Sequence, residues 1–215
     1  MVIKLLSPKD VNYLTDCKGT DYVEFLGCDH HENIYDYYLA DSFINGKASY
    51  KTKGINTEKN CFTSNRTTGI RPVLTNIEDF DIIVEKSYKN EKGHLEVEYG
   101  NYAQKKSNIT VRTLINGKEI SDNIYVFNGK VYTIKAENVF EILPVKWLVD
   151  IENKRLISKC VIDGKQPLDS DTFFDGDFEH TYMYKYLNEE MAKKLFTKVC
   201  QKNQIYNLEC NDDLI

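Results

Sequence analysis

The sequence predicts an α+β fold built mainly on antiparallel sheet, with a short N-terminal helix and a longer C-terminal one. Three observations lead there. Short β-branched and aromatic runs alternate with polar turns through the middle of the chain. The dipeptides Asn116-Gly117 and Asn128-Gly129 fall between such runs, and both residue types tolerate the positive φ of a tight hairpin turn. Met183, Leu187, Met191, Leu195 and Val199 recur every four residues, which is a helical stripe.

Taken in order, Leu6-Ser7-Pro8-Lys9-Asp10-Val11 starts a short helix. Ser7 caps it, Pro8 suits the first helical position, and Asp10 closes a capping box. Asp21 to Leu26 alternates as a strand. Ile34 to Phe43 is aromatic-rich and open between helix and strand. Asn45 to Thr68 is polar and glycine-containing, a long loop with irregular strands. Gly69 to Leu74 and Phe80 to Glu85 read as strands, and Asn90 to Gly93 as a polar turn. Leu95 to Tyr99 alternates cleanly. Ile109 to Ile115, Ile124 to Phe127 and Val131 to Lys135 continue an antiparallel meander through the two Asn-Gly turns.

The meander feeds Glu141 to Asp163, which holds the only tryptophan and two apolar runs around Glu152-Asn153-Lys154-Arg155. This is a buried hairpin with Trp147 at its centre; Pro144, which has no N–H to give a ladder, marks the strand start or a bulge. In the C-terminal helix, Glu189–Lys193 and Glu190–Lys194 are i,i+4 pairs on the solvent side.

The chain has 215 residues, 41% hydrophobic and 28% charged, and suits one α+β domain over 1–215. The turn near 90–94 offers a subdivision into 1–89 and 95–215. A net charge of −5 and the absence of a basic run longer than the pairs Lys105-Lys106 and Lys193-Lys194 argue against direct nucleic-acid binding. No apolar run reaches the length of a membrane span. The cysteines at 17, 28, 61, 160, 200 and 210 form no C-x-x-C pair, and MVIKLLSPKD has no long apolar core, so a reducing cytoplasm is expected. Only four of the 28 basic residues are arginine, while lysine, asparagine and isoleucine abound. That bias accompanies AT-rich coding sequence, as in a low-GC bacterium or its phage.

Four stretches carry a family resemblance. Val97-Glu98-Tyr99-Gly100-Asn101-Tyr102-Ala103-Gln104 resembles the "(F/Y)-G-x-Y-P-Q" opening of an uncharacterised bacterial domain family of unknown function. Leu143-Pro144-Val145-Lys146-Trp147-Leu148-Val149 resembles its "P-I-x-W-x-V" strand, and Tyr184 to Met191 its "L-R-x-W-L-N-x-x-F" helix. Gly69-Ile70-Arg71-Pro72-Val73-Leu74 resembles its closing "G-V-R-P-A-L" strand. Ala103 stands where the family has proline, and the closing strand comes first, so the order is circularly permuted or the chain holds parts of two copies. The family is distantly similar to the C-type-lectin-like fold of formylglycine-generating enzymes. Their copper-binding cysteines have no match here, so oxidase activity is not implied.

Candidate sites are few. Cys28-Asp29-His30-His31-Glu32 gathers metal-ligand types but lacks paired zinc spacings; the alternative is a solvated loop. Asp169, Asp171, Asp175, Asp177 and Glu179 lie close together around Gly176, a composition that supplies oxygen ligands to calcium, although the EF-hand pattern is not met. Asp175, Asp177 and Glu179 are the metal candidates, and a solvated acidic loop is the alternative. No G-x-S-x-G, Walker loop or H-E-x-x-H occurs, so no catalytic residue is named. Arg71 and Trp147 read as structural. Tyr35, Tyr37 and Tyr38 are the candidate partner anchor, on the argument that three tyrosines in four residues cannot all face one core.

The expected function is that of a non-enzymatic, acidic interaction protein, encoded by a phage or mobile element and inhibiting a host defence protein. Its partner would be a basic surface on a nucleic-acid-binding enzyme such as a CRISPR nuclease. The rival is a C-type-lectin-like domain binding a small ligand or carbohydrate, with or without calcium. A third reading is a cryptic enzyme using a cysteine or histidine.

Overall fold

The computed structural model describes residues 1–7, 9–10, 13, 17–40, 47–52, 55–60, 68–121, 123–167, 177–196, 199–201 and 204–206. At 47–52, 55–60, 199–201 and 204–206 the backbone alone is described. The chain opens with β1 (Val2–Leu5). Next come α1 (Asp21–Leu26), the short strands β2 (His30–His31), β3 (Ile34–Tyr35) and β4 (Tyr37–Tyr38), and a hairpin of β5 (Lys47–Thr52) and β6 (Ile55–Asn60). β7 (Gly69–Ile70), β8 (Pro72–Thr75), α2 (Phe80–Glu85), β9 (Tyr88–Lys89) and β10 (Leu95–Lys106) follow. After α3 (Val111–Leu114) come β11 (Lys118–Ser121), β12 (Ile124–Phe127), β13 (Lys130–Lys135), β14 (Asn138–Asp150), β15 (Arg155–Ser158) and β16 (Asp163–Gly164). A helical run over 182–196, here α4, and a hairpin of β17 (Val199–Gln201) and β18 (Gln204–Tyr206) complete the order.

The fold is α+β and mostly antiparallel. Among the described residues the largest sheet has nine strands in the order β1-β8-β15-β14-β13-β12-β11, with β10 along β14 and β9 on β10. A second sheet runs β16-β7-β4-β5-β6, with β4 and β7 parallel. Gly69 to Leu74, expected as one strand, is two: β7 pairs β16 in the small sheet and β8 pairs β1 and β15 in the large one. Arg71 stands at the switch, fully buried. It donates to the Ser158 carbonyl (2.8 Å), the Tyr13 carbonyl (2.7 Å) and the Tyr37 hydroxyl (3.1 Å), so the two sheets share one fastening.

The long strand β14 is the axis of the large sheet. Val145, Trp147 and Val149 alternate into the main core, while Leu148 points to a second core on the opposite face. Trp147 is fully buried, as its sequence setting implied, and its indole N–H donates to the Tyr99 carbonyl at 2.7 Å. That carbonyl lies at a bulge in β10, where the register slips between Glu98 and Asn101. Gly100 sits in the bulge at φ 63°, and a Cβ there would meet the Leu195 carbonyl and the Phe196 ring at 3.0 Å. Pro144 pairs with Asn101 beside this bulge. Along β14 the pairing with β13 ends at Glu141 and that with β15 begins at Trp147, so the missing N–H of Pro144 breaks no ladder bond on that side. The β14–β15 hairpin turns through Ile151–Lys154, with Arg155 donating to Asp150 and Asp10 at 2.7 Å each.

The Asn128-Gly129 hairpin joins β12 to β13, with both residues at positive φ (48° and 77°). Asn116-Gly117 does something else. Ile109 to Ile115, expected as a strand, contains α3, capped by the Thr110 hydroxyl on the Thr113 N–H, and Gly117 turns the chain from α3 into β11. Two further expected strands are also helices. In α1 the Thr20 hydroxyl accepts from the Val23 N–H, and Gly27 ends the helix at φ 70°. In α2 Phe80 and Ile83, one helical turn apart, enter the main core while Asp81, Ile82 and Glu85 stay outside. The helix expected at Leu6–Val11 falls partly outside the described residues. What is described is its capping bond, Ser7 N–H to Asp10 Oδ2 at 2.8 Å, and the Tyr13 N–H donating to the Asp10 carbonyl at 2.9 Å.

The C-terminal helix is present and four members of its expected stripe, Met183, Leu187, Met191 and Leu195, are fully buried, but the helix ends at Phe196 and the fifth, Val199, lies in strand β17. A step of four overshoots a regular α-helical turn by about 40°. The helix absorbs that overshoot by widening into a π segment at Tyr186–Met191 between its α-helical ends, Tyr182–Lys185 and Ala192–Phe196. Asn188 in this segment accepts from Ile3 N–H (2.8 Å) and donates to Ile3 C=O (3.0 Å), so its carboxamide occupies the outer edge of β1 as a strand would.

Candidate interaction surface

The expected tyrosine anchor is not a surface. Tyr35, Tyr37 and Tyr38 are only 5%, 0% and 4% exposed, which corrects the expectation that at least one faces solvent. The reason is that this segment runs between two cores. Tyr38 packs in the main cluster, Tyr35 and Tyr37 in the second, so neighbours pointing opposite ways are both covered.

The acidic segment is only partly in view. Asp175 lies outside the described residues, as do Asp169 and Asp171. Asp177 Oδ1 accepts from the Glu179 N–H at 2.9 Å and caps the 3-10 turn Phe178–His180. Glu179 pairs with Lys4 at 3.1 Å. In the 28–32 segment Cys28 is buried, while His30 and His31 are exposed on β2. Among the described residues no three His, Cys, Asp or Glu side chains converge to hold a metal.

Two buried carboxylates, Asp163 and Glu96, anchor hydrogen-bonded networks. Asp163 is 2% exposed; its Oδ2 accepts from the hydroxyls of Tyr102 on β10 and Tyr186 on α4, and its Oδ1 from the Gly164 N–H at 2.8 Å. Lys194 in turn donates to the Tyr186 hydroxyl at 3.2 Å. Burial first, and then the Asp163 charge, push the Tyr22, Tyr102 and Tyr186 hydroxyls well above the ordinary tyrosine range. Glu96 is equally buried and binds Lys159 at 2.6 Å, together with Asn90 and Tyr88. Burial pushes its carboxyl up, but these hydrogen bonds outweigh that and hold it below the usual range. Burial also raises the Cys28 thiol to about 12, and raises Cys160.

The open feature is the segment from Glu78 to Lys89. Four large apolar side chains are strongly exposed among the described residues, and two of them, Ile82 (52%) and Tyr88 (44%), are here. Glu78, Asp79, Asp81 and Glu85 are exposed around Ile82, against two exposed lysines, Lys86 and Lys89. Phe80 and Ile83 pin α2 to the main core, so the outer face is presented by a fixed support. Among the described residues β9 pairs only with β10, which leaves Tyr88 on a sheet edge. This surface is hidden in the sequence because Phe80 to Glu85 reads as a strand. The signal was the pairing of Phe80 with Ile83 and of Asp81 with Glu85, which is helical spacing.

No family model, no curated protein and no solved structure matches this chain. No helix among the described residues is long and apolar enough to cross a membrane.

Proposed function

We propose that the protein works by binding rather than by catalysis: an acidic interaction protein that occupies a basic surface of a nucleic-acid-binding host enzyme, with a CRISPR nuclease as the specific candidate. The observation that carries this reading is the Glu78–Lys89 segment, where exposed Ile82 and Tyr88 stand among four carboxylates on a face fixed to the core. An apolar centre within a charged surround is the pattern of an interface anchor. The net charge of −5 adds long-range attraction to a basic partner. The networks around Asp163 and Glu96 support the same reading, since these groups are already spent on joining strands and helix. A phage or mobile-element origin and a cytoplasmic setting remain part of the proposal, on composition alone.

We propose with it a C-type-lectin-like fold. Its support is that the four family-like stretches meet: β8 pairs β15, β15 pairs β14, β14 pairs β10, and Tyr186 of α4 shares Asp163 with Tyr102 of β10. The test of function is binding to a guide-loaded CRISPR nuclease followed by calorimetry and by target cleavage. The proposal expects a complex that blocks cleavage and that weakens by about 1–2 kcal/mol or more with Ile82→Ala plus Tyr88→Ala. Binding of the free protein to duplex DNA or RNA at physiological salt, or a complex indifferent to both substitutions, contradicts it.

A further inference from the structure

A notch opens where β14 is left by β15 and not yet joined by β13. β15 makes its last pair at Trp147–Ser158, β13 its first at Glu141–Tyr132, and the stretch of β14 between them borders a cavity of about 320 Å³. Its floor is apolar: Leu143 and Cys160 are half-buried and Pro144 is exposed, while Val145 and Ile162 in the same lining are buried. The mouth holds two lysines in different states. Lys159 is committed to the buried Glu96 at 2.6 Å. Among the described residues Lys146 pairs only with Glu98, at 3.7 Å, and both side chains are about half exposed (53% and 49%). An exposed pair at that separation holds its ammonium weakly, leaving it open to a better partner. Gln104 spends its amide N–H groups on the Leu143 and Pro144 carbonyls, at 2.8 and 2.9 Å. Its own carbonyl oxygen is what it has left to offer.

We propose that this notch binds a carboxylate carried on a small apolar body. The apolar floor takes the body, and the Lys146 ammonium takes the carboxylate in place of Glu98. An inorganic anion would leave the floor uncovered, and a wholly apolar molecule would leave Lys146 with nothing better than Glu98. The volume lies near the lower end for ligand sites, roughly 300 Å³, so a one-ring acid fits where a nucleotide or oligosaccharide does not. The same chemistry is offered by a free organic acid and by the C-terminus of a peptide ending in an apolar residue. This site is separate from the α2 surface and stands or falls without it.

The test uses the full chain, labelled with ¹⁵N, and four probes: 4-phenylbutyrate, its primary amide, and an N-acetylated Gly-Gly-Phe tripeptide with free and with amidated C-terminus. The expected result is saturable shifts at Leu143, Val145, Lys146 and 159–162 with at least one carboxylate at millimolar concentration, and affinity for its amide lower by about tenfold. Lys146→Gln, an exposed change that leaves the melting temperature in place, brings the carboxylate down to the level of its amide. Shifts with the organic acid alone assign a free acid, and shifts with the tripeptide alone assign a chain end. No saturable shift with either carboxylate overturns the proposal. So do equal affinities for acid and amide, shifts confined to other residues, or a Lys146→Gln variant that binds as the parent does.

Discussion

Removing one hydroxyl, in Tyr186→Phe, tests how the C-terminal helix is fastened to the sheet. In the parent the Asp163 carboxylate is 2% exposed and takes hydrogen bonds from Tyr102, Tyr186 and the Gly164 backbone. The substitution removes one of those donors from a buried charge and also takes away the acceptor that Lys194 uses. A hydrogen bond to a charged group contributes about 1.5–3 kcal/mol. For a chain of this length that corresponds to a drop of roughly 3–12 °C in melting temperature. Tyr182→Phe is the matched control, because among the described residues its hydroxyl reaches only Gln166, at 3.4 Å and half-buried. It should cost within about 0.5 kcal/mol. Urea unfolding and calorimetry on both variants give the comparison. Tyr102→Phe with Tyr186→Phe should cost more than the sum, since Asp163 then keeps only the Gly164 N–H, and adding Asp163→Asn should recover part of the loss. If Tyr186→Phe unfolds with Tyr182→Phe, the clasp is not what holds the helix.

Other consequences follow from the same geometry. Trp147→Ala should cost about 3–5 kcal/mol in urea unfolding, because a fully buried ring is lost and the Tyr99 carbonyl loses its donor. Glu96 and Asp150 have folded carboxyls below their usual range: burial raises both, and hydrogen bonds from Lys159 and Arg155 respectively lead the groups that lower them further. Their contribution is therefore fully present above the unfolded carboxylate range, near pH ~4, and is lost as pH falls through the lower folded values. Urea midpoints measured from neutral to acid pH should fall less steeply for Glu96→Gln and Asp150→Asn than for the parent, and parallel curves would contradict this. The Cys28 thiol, raised to about 12 and buried, should resist iodoacetamide in the folded protein at pH 8 and react once urea unfolds it, with peptide mapping as the readout.

The sequence made the long elements legible and the short ones not. The β14–β15 hairpin, the Asn128-Gly129 turn and the C-terminal helix each rest on a pattern several residues long, and each is present. α1, α2 and α3 are six, six and four residues long, too short for periodicity to separate them from strands. Their caps, Thr20, Gly27 and Thr110, were the better signal. Tyr35, Tyr37 and Tyr38 are all covered because this segment runs between two cores, which three tyrosines in a row of four residues do not reveal. The Asp163 clasp joins residues 61 and 23 positions apart, and no local pattern announces such a meeting. The interaction surface is hidden when α2 reads as a strand, because Phe80 and Ile83 fall on one face, apart from Asp81 and Glu85, only in a helix.

The most direct test of the binding proposal is the rate at which the protein associates with a guide-loaded CRISPR nuclease, measured by stopped-flow across a salt series. Attraction between an acidic face and a basic one is screened over roughly 8 Å at physiological salt, so the rate should fall steeply as salt rises. Glu78→Lys combined with Asp81→Lys and Glu85→Lys should slow association at low salt by about tenfold or more and flatten its salt dependence, while the melting temperature stays near the parent's because these side chains are exposed. No association at all, or association that ignores both salt and this charge reversal, contradicts the account.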